Sequence, residues 1–333
     1  MTAPQNLRKD MKHLSRYPLL LLLTAALSCA EDGLDLKTWN AYRNPLVLSA
    51  VPNPDILKEG DTWYLYSDAA AEDEVISLMS STDLVTWGRL DPLFDEDTKP
   101  SFIVDGTVSG PSVIKVGEQY LLYYSLRKTD EECGIGVASS ATPTGPWIDH
   151  GALLLASVPD LTALCHPFVF ESDGSLSLAF AAADGIYLLP LSPTGLSPAG
   201  EPVRIVEGPV STPVLFQESG RWYLLSTTGS ESGDASSTAV ITVCSAQTLT
   251  GPYGEWKKLI GRGTKFAGPG SPSRLVRDSE GNDWLLYNAF DLSDLSSGRT
   301  LMLDRLHWDG NDVPWVRGSA SSFYTDAPHV QLN

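Results

Sequence analysis

Basic side chains are scarce in this chain: 23 Lys and Arg stand against 41 Asp and Glu, a formal net charge of −18 over 333 residues. So acidic a surface repels phosphate backbones, which excludes nucleic acid as a partner and disfavours docking onto anionic polymers; neutral ligands remain. Cysteine is sparse too, with four residues and no CxxC or Cys/His spacing that would build a zinc site. No apolar run approaches the ~20 residues that a membrane-crossing helix needs. Beyond the N-terminus there is no long amphipathic helical pattern with capping residues, so the chain reads as nearly all β. The glycine-rich run at Gly268 precedes a strand and has no Lys after it, so it is no phosphate loop, and no aspartates have calcium-loop spacing. No cofactor and no metal are expected.

What the chain does have is a five-fold repeat. NPDILKEGDTWYLYS begins at Asn53, GPSVIKVGEQYLLYYS at Gly110, HPFVFESDGSLSLAF at His166, TPVLFQESGRWYLLS at Thr212 and SPSRLVRDSEGNDWLLYN at Ser271. Pro54, Pro111, Pro167, Pro213 and Pro272 mark the register, 46 to 59 residues apart. That is the length of one four-stranded sheet with its turns. Alternating apolar residues, a Gly turn and a second alternating run predict a hairpin in each copy. Third strands follow, ending near Trp87, Trp147, Ser197, Tyr253 and Gly310. The expected fold is a five-bladed β-propeller of four-stranded antiparallel blades, one domain over residues 44–333. Trp63, Trp222 and Trp284 recur in the second strand of their copies and read as core.

Residues 1–29 are different. Basic residues through Arg16, the apolar run Pro18 to Leu27 and then Ser28-Cys29 resemble a bacterial lipoprotein export signal, with Cys29 as the lipidated residue and residues 30–43 as a short tether. Membrane contact is expected through that lipid anchor alone. Removing the leader takes away four basic side chains and one acidic one, which leaves a still more acidic chain. Cys133, Cys165 and Cys244 would remain, an odd number that permits at most one internal bridge. Nothing points to an obligate interface, so a monomer is expected.

Several motifs carry a resemblance over about residues 44–316: the opening NPLVL, the NPDILKEGDTWYLYSD run, the turns STDLVTW and ATPTGPW, the segment GPGSPSRLVRDSEGNDWLLYNAF and the closing RTLMLDRLHWDGNDVPWV. In order and spacing they resemble the five-bladed propellers of glycoside hydrolase family 43. That resemblance implies inverting hydrolysis, in which a carboxylic acid protonates the leaving oxygen and a carboxylate activates water. The family's base is usually an Asp just before the first Pro, and here that residue is Asn53. The Asp that tunes the acid usually follows the second Pro, where Ser112 stands. The acid is usually a Glu two residues before the fourth Pro, which is Ser211. A fifth-blade His is replaced by Ser271. His166 stands before the third Pro, where members often carry an Asp.

An amide or a hydroxyl takes up no proton near neutral pH, so none of Asn53, Ser112, Ser211 and Ser271 can be the base. The expected pocket, lined by Asn53, Ser112, His166, Ser211, Ser271 and Asn288, suits hydrogen bonding to sugar hydroxyls, with Phe266 as a rim aromatic. An exported propeller that binds an oligo- or polysaccharide is the preferred reading. The alternative is an active glycoside hydrolase of the arabinofuranosidase or xylosidase type with relocated carboxylates. Glu207, in an EGP motif, would be its acid and Asp105 or Asp55 its base. Strand alternation points Asp55 away from its neighbour, as a solvated residue at a strand start.

Overall fold

The computed structural model describes residues 41–69, 74–94, 97–156, 161–230, 232, 234–309, 313–317 and 324–330. The leader, Cys29 and residues 30–40 of the tether lie outside the described residues. Each repeat folds as one blade. Blade 1 is Asp55–Glu59, Thr62–Asp68, Ile76–Ser81 and Gly88–Arg89. Blade 2 is Thr107–Val116, Gln119–Arg127, Cys133–Ser140 and Ile148–Leu155, and blade 3 is Cys165–Ser172, Ser175–Ala182, Gly185–Pro190 and Val203–Glu207. Blade 4 is Val210–Glu218, Arg221–Thr228, Val240–Ala246 and Lys257–Ile260. All these pairings are antiparallel. Among the described residues a single 3₁₀ turn, Leu295–Ser297, is the only helical element. The expected all-β propeller is the observed one.

Blade 5 closes the ring. Its first three strands are Phe266–Gly270, Asp283–Asp291 and Arg299–Trp308, and its fourth is Val47–Ala50 from the other end of the chain. The side chain of Asn44 extends this pairing: its Nδ2 donates to the Leu303 carbonyl at 3.0 Å and its Oδ1 accepts from the Leu303 amide at 2.9 Å. A primary amide has the same donor and acceptor pair as a peptide group, so Asn44 substitutes for one more rung of the ladder. Pairing a strand from early in the chain with the last blade ties the ring shut and leaves only a short outer edge, as on the other blades.

The core is a set of layers between blades rather than one central mass. Blades 1 and 2 bury Tyr66, Ile76 and Leu78 against Val113, Leu122 and Tyr124; blades 2 and 3 bury Tyr123 and Val137 against Val169 and Leu178. Blades 3, 4 and 5 share Phe168, Phe170, Leu224, Val243, Leu285 and Tyr287, and blade 5 meets blade 1 through Trp284, Leu286, Ile56 and Leu65. Trp63, Trp222 and Trp284 are buried in these layers. Cys133, Cys165 and Cys244 are unbridged.

One of these seams depends on a glycine. Gly136, in the third strand of blade 2, lies under the ring of Tyr124, and a methyl group on its Cα would run into that ring. Tyr124 is fully buried and its hydroxyl donates to Asp149, so the ring has nowhere to go. Gly136→Ala is therefore expected to cost about 2–4 kcal/mol in urea unfolding, as overpacked cores do. Gly88→Ala, on an exposed edge strand with free space around it, is expected to stay within about 1 kcal/mol of wild type.

Candidate functional site

All five marker prolines converge on one axial pocket. Its lining is three residues from each repeat: Asn53-Pro54-Asp55, Gly110-Pro111-Ser112, His166-Pro167-Phe168, Thr212-Pro213-Val214 and Ser271-Pro272-Ser273. The cavity encloses about 30 Å³, roughly the share of one water in the liquid.

Backbone geometry explains how these side chains come to face the axis. The residue before each proline has positive φ: 47° at Asn53, 61° at Gly110, 50° at His166, 51° at Thr212 and 47° at Ser271. In blades 2, 3 and 4 the strand register slips at this point, between Ser109 and Ser112, Cys165 and Phe168, and Ser211 and Val214. An extra residue in a left-handed conformation is a β-bulge, which bends the strand and re-aims a side chain. The conformation is costly for residues other than glycine, above all for β-branched Thr212. Its recurrence in every blade marks it as built into the fold.

Hydrogen bonds from the neighbouring blade hold the bulges. The backbone N–H of Gly110 donates to Asp68 Oδ1 at 2.5 Å, that of His166 to Ser125 Oγ at 2.9 Å and that of Ser271 to Thr227 Oγ1 at 2.9 Å. Asp68, Ser125 and Thr227 are equivalent positions near the end of the second strand of blades 1, 2 and 4. A polar side chain there latches blade 1 to blade 2, blade 2 to blade 3 and blade 4 to blade 5.

Below the pocket, a second ring of contacts is organised by an ion pair. Arg274 Nε and Nη2 donate to Asp55 Oδ1 and Oδ2 at 3.0 and 2.8 Å, and Nη2 also donates to the carbonyls of Val113 and Val169 at 2.9 and 3.3 Å. The guanidinium lies 5.0 Å from the centre of the Phe168 ring. Asp55 also accepts from the Val113 amide at 2.8 Å and the Ser112 hydroxyl at 3.0 Å, while Ser112 Oγ accepts from the Val169 amide at 3.1 Å. One arginine thus joins blade 5 to blades 1, 2 and 3.

Asp55 corrects the expectation of a solvated strand-start residue: it is 4% exposed. Alternation predicted its direction from an unbulged strand, but the bulge at Asn53-Pro54 turns it inward onto Arg274. Asn53, Ser112, His166 and Ser271 line the pocket as expected. Ser211 and Asn288 are not on the lining; Asn288 is fully buried and accepts from Arg299. Phe266 is buried in the layer shared by blades 3, 4 and 5, not on the rim. Glu207 ends the outermost strand of blade 3, with its side chain 80% exposed and 3.9 Å from Arg204. Asp105 is exposed, in a turn before blade 2, and neither of these acids is on the lining.

Sequence reasoning missed Gly110 and Thr212, although the residue before each marker proline was the available signal. It also missed Asp68. That side chain accepts from Asn53 Nδ2 at 2.6 Å as well as from the Gly110 amide, directly behind the pocket wall. Burial pushes the Asp68 carboxyl from its ordinary 3.8 up to about 6, against the opposing pull of those two hydrogen bonds and of His166. Among the described residues no cluster of three or more His, Cys, Asp or Glu could hold a metal ion.

Two outcomes follow for this site. Asp55→Asn leaves a partly buried guanidinium without its carboxylate and is expected to cost about 2–3 kcal/mol in denaturant unfolding, below the range for a fully buried pair. The double change Asp55→Asn/Arg274→Met should cost less than the sum of its parts by at least about 1 kcal/mol. For Asp68, the native state keeps a proton that the unfolded chain has lost between pH 4 and 6, so its contribution to stability falls as pH rises through that window. The stability of wild type minus that of Asp68→Asn should therefore drop by on the order of 1 kcal/mol from pH 4 to 6 and be flat above 7.

The profile of glycosyl hydrolases family 43 matches residues 42–314. The extracellular exo-α-(1→5)-L-arabinofuranosidase of Cellvibrio japonicus (strain Ueda107) is 26% identical to the chain, over 91% of it and 92% of that protein. The extracellular endo-α-(1→5)-L-arabinanase 1 of Bacillus subtilis (strain 168) is 26% identical over 80% of the chain and 85% of that protein. Among solved structures, the α-L-arabinanase of Cellvibrio cellulosa has a TM-score of 0.71 at 26% identity, covering 80% of this chain and 95% of its own. That arabinanase has also been solved in complex with arabinohexaose.

Proposed function

Because the chain belongs to glycosyl hydrolases family 43, we propose that its axial pocket holds a neutral glycan of the α-1,5-arabinan kind and does not hydrolyse it. One observation carries this reading: the five residues at the bulges, Asn53, Gly110, His166, Thr212 and Ser271, include no carboxylate. Inverting hydrolysis needs two carboxyl groups on opposite sides of the scissile bond, about 6.5–9.5 Å apart. The one carboxylate on the lining, Asp55, is spent on Arg274, Ser112 and Val113. Asp68 stands behind Asn53, whose amide lies between it and the pocket. Glu207 and Asp105 are off the lining.

What remains at the bulges is an amide, two hydroxyls and an imidazole facing a small axial cavity. Such groups recognise a sugar hydroxyl by hydrogen bonding. The arabinan-directed names of the relatives supply the sugar, and the net charge of −18 supports a neutral chain over an anionic one. The relatives described as extracellular and the leader-like residues 1–29 support export, as a secreted or lipid-anchored monomer.

The test is calorimetry and reducing-sugar release with linear α-1,5-arabinan. Saturable binding is expected, weakened about tenfold by Asn53→Ala or by His166→Ala, as loss of one or two hydrogen bonds would give. No reducing ends should appear. Release of reducing ends that is abolished by Asp68→Asn, Asp105→Asn or Glu207→Gln would overturn the reading and make the protein a hydrolase.

A further inference from the structure

The pocket wall contains a directed run of hydrogen bonds. Ser271 Oγ donates to Asn53 Oδ1 at 2.6 Å, and Asn53 Nδ2 donates to Asp68 Oδ2 at 2.6 Å. The other carboxylate oxygen, Oδ1, accepts from the Gly110 backbone at 2.5 Å. An ionised carboxylate only accepts, so the Asn53 amide must turn its nitrogen to Asp68 and its oxygen to Ser271. Ser271 then has its single proton committed to Asn53, and its Oγ can offer the pocket only lone pairs.

We propose that Asp68 is the positioning residue that sets what this pocket accepts: its carboxylate orients Asn53, Asn53 orients Ser271, and Ser271 is left as an acceptor selective for a ligand O–H. This rests on the glycan-binding reading and names the group recognised, a sugar hydroxyl donating into the wall. Every donor in the run from ligand to Ser271, Asn53 and Asp68 points towards the negative charge. Chains of this kind polarise one another, so the hydroxyl at the far end is held more strongly than a lone serine would hold it.

Protonating Asp68 reverses the run. Oδ1 is committed to the Gly110 N–H, which belongs to a fixed backbone, so the proton settles on the oxygen facing Asn53. An O–H now meets an N–H, and the amide relieves this by turning end for end. Its oxygen accepts from Asp68, its nitrogen donates to Ser271 Oγ, and the Ser271 proton is released into the pocket. An acceptor for sugar hydroxyls becomes a donor, without movement of the backbone. Among the described residues, one other charged group acts on Asp68. His166 of blade 3 acts on it electrostatically, and Asp55 of blade 1 and Arg274 of blade 5 are paired with each other.

Nitrogen-15 and carbon-13 NMR of the ligand-free protein tests the device directly. Between pH 4.5 and 8 the Asn53 side-chain amide signals are expected to titrate in one step, in parallel with the Asp68 carboxyl carbon. The step should persist in His166→Gln and vanish in Asp68→Asn. An amide that does not titrate in wild type overturns the inference. So does a midpoint that differs from that of the Asp68 carboxyl, which needs no variant, or a step that disappears in His166→Gln. In the second arm, affinity for arabinohexaose should fall about tenfold from pH 7.5 to pH 5 in wild type and less than about twofold in Asp68→Asn. Failure of arabinohexaose to bind at any pH, with the amide titration intact, would sink the glycan-binding reading and leave the Asp68 device standing.

Discussion

The ion pair between Asp55 and Arg274 is the contact on which the centre of the molecule depends. Five sheets converge there, and the strands nearest the axis present carbonyls and amides to a space too narrow for much water. Unpaired, such groups would each cost a free energy comparable to a lost hydrogen bond. A guanidinium answers this with several donors in one plane: two go to Asp55, and Nη2 is shared with the carbonyls of Val113 and Val169. The carboxylate in turn takes the Val113 amide and the Ser112 hydroxyl. Neither charge would be tolerated there alone. Together they fasten the last repeat to the first three, at the same seam where Val47–Ala50 completes blade 5 from outside.

Above that pair, the same strands stop being regular. A strand that continued without a bulge would point alternate side chains into the layers between blades and leave the axis to backbone. The left-handed residue before each proline breaks the alternation, and five such breaks at one level make a ring of side chains around a cavity. The strain is shared out cheaply where Gly110 and Asn53 occupy the position and more dearly at Thr212. What holds Gly110, His166 and Ser271 is the latch from the preceding blade, and the latch must be an acceptor because it receives a backbone N–H. Ser125 and Thr227 meet this requirement with hydroxyls. Asp68 meets it with a carboxylate, and so a position needed for architecture also places a titratable group beside the pocket.

The division between what could be read from sequence and what could not follows from these same features. The prolines, the Gly turns and the alternating runs are local signals that each blade repeats, so blade number, strand pairing and the pocket positions of Asn53, Ser112, His166 and Ser271 were legible. Partners on distant repeats leave no such local mark. Nothing near Arg274 in the chain shows that it reaches Asp55, 219 residues away. Asp55 itself was misread because period-two alternation assumes an unbulged strand. The strand Val47–Ala50 pairs with Arg299–Trp308 through chain closure, which no repeat encodes, since it has no counterpart in the other four copies. Asp68 was hidden for a different reason. Its register equivalents are Ser125, Ala181, Thr227 and Asn288, a set of widely varying chemistry in which only Ser125 and Thr227 share its role of accepting a backbone N–H from the next blade.

The position of that carboxylate bears directly on chemistry. A general base must touch the water it activates, at hydrogen-bond distance and with a free lone pair. Asp68 is one side chain further from the axis, and both of its oxygens are already accepting, one from the backbone and one from Asn53. Off the lining, it acts on a ligand in the cavity through the orientation of the amide in front of it. An aspartate at position 53 would place the acceptor at the cavity itself, but it would also set two carboxylates against each other where one hydrogen bond now lies, and the pair would hold a proton between them near neutral pH. With asparagine there, the wall stays neutral towards the cavity and the charge remains behind it, which is the arrangement that the proposed recognition of a sugar hydroxyl draws on.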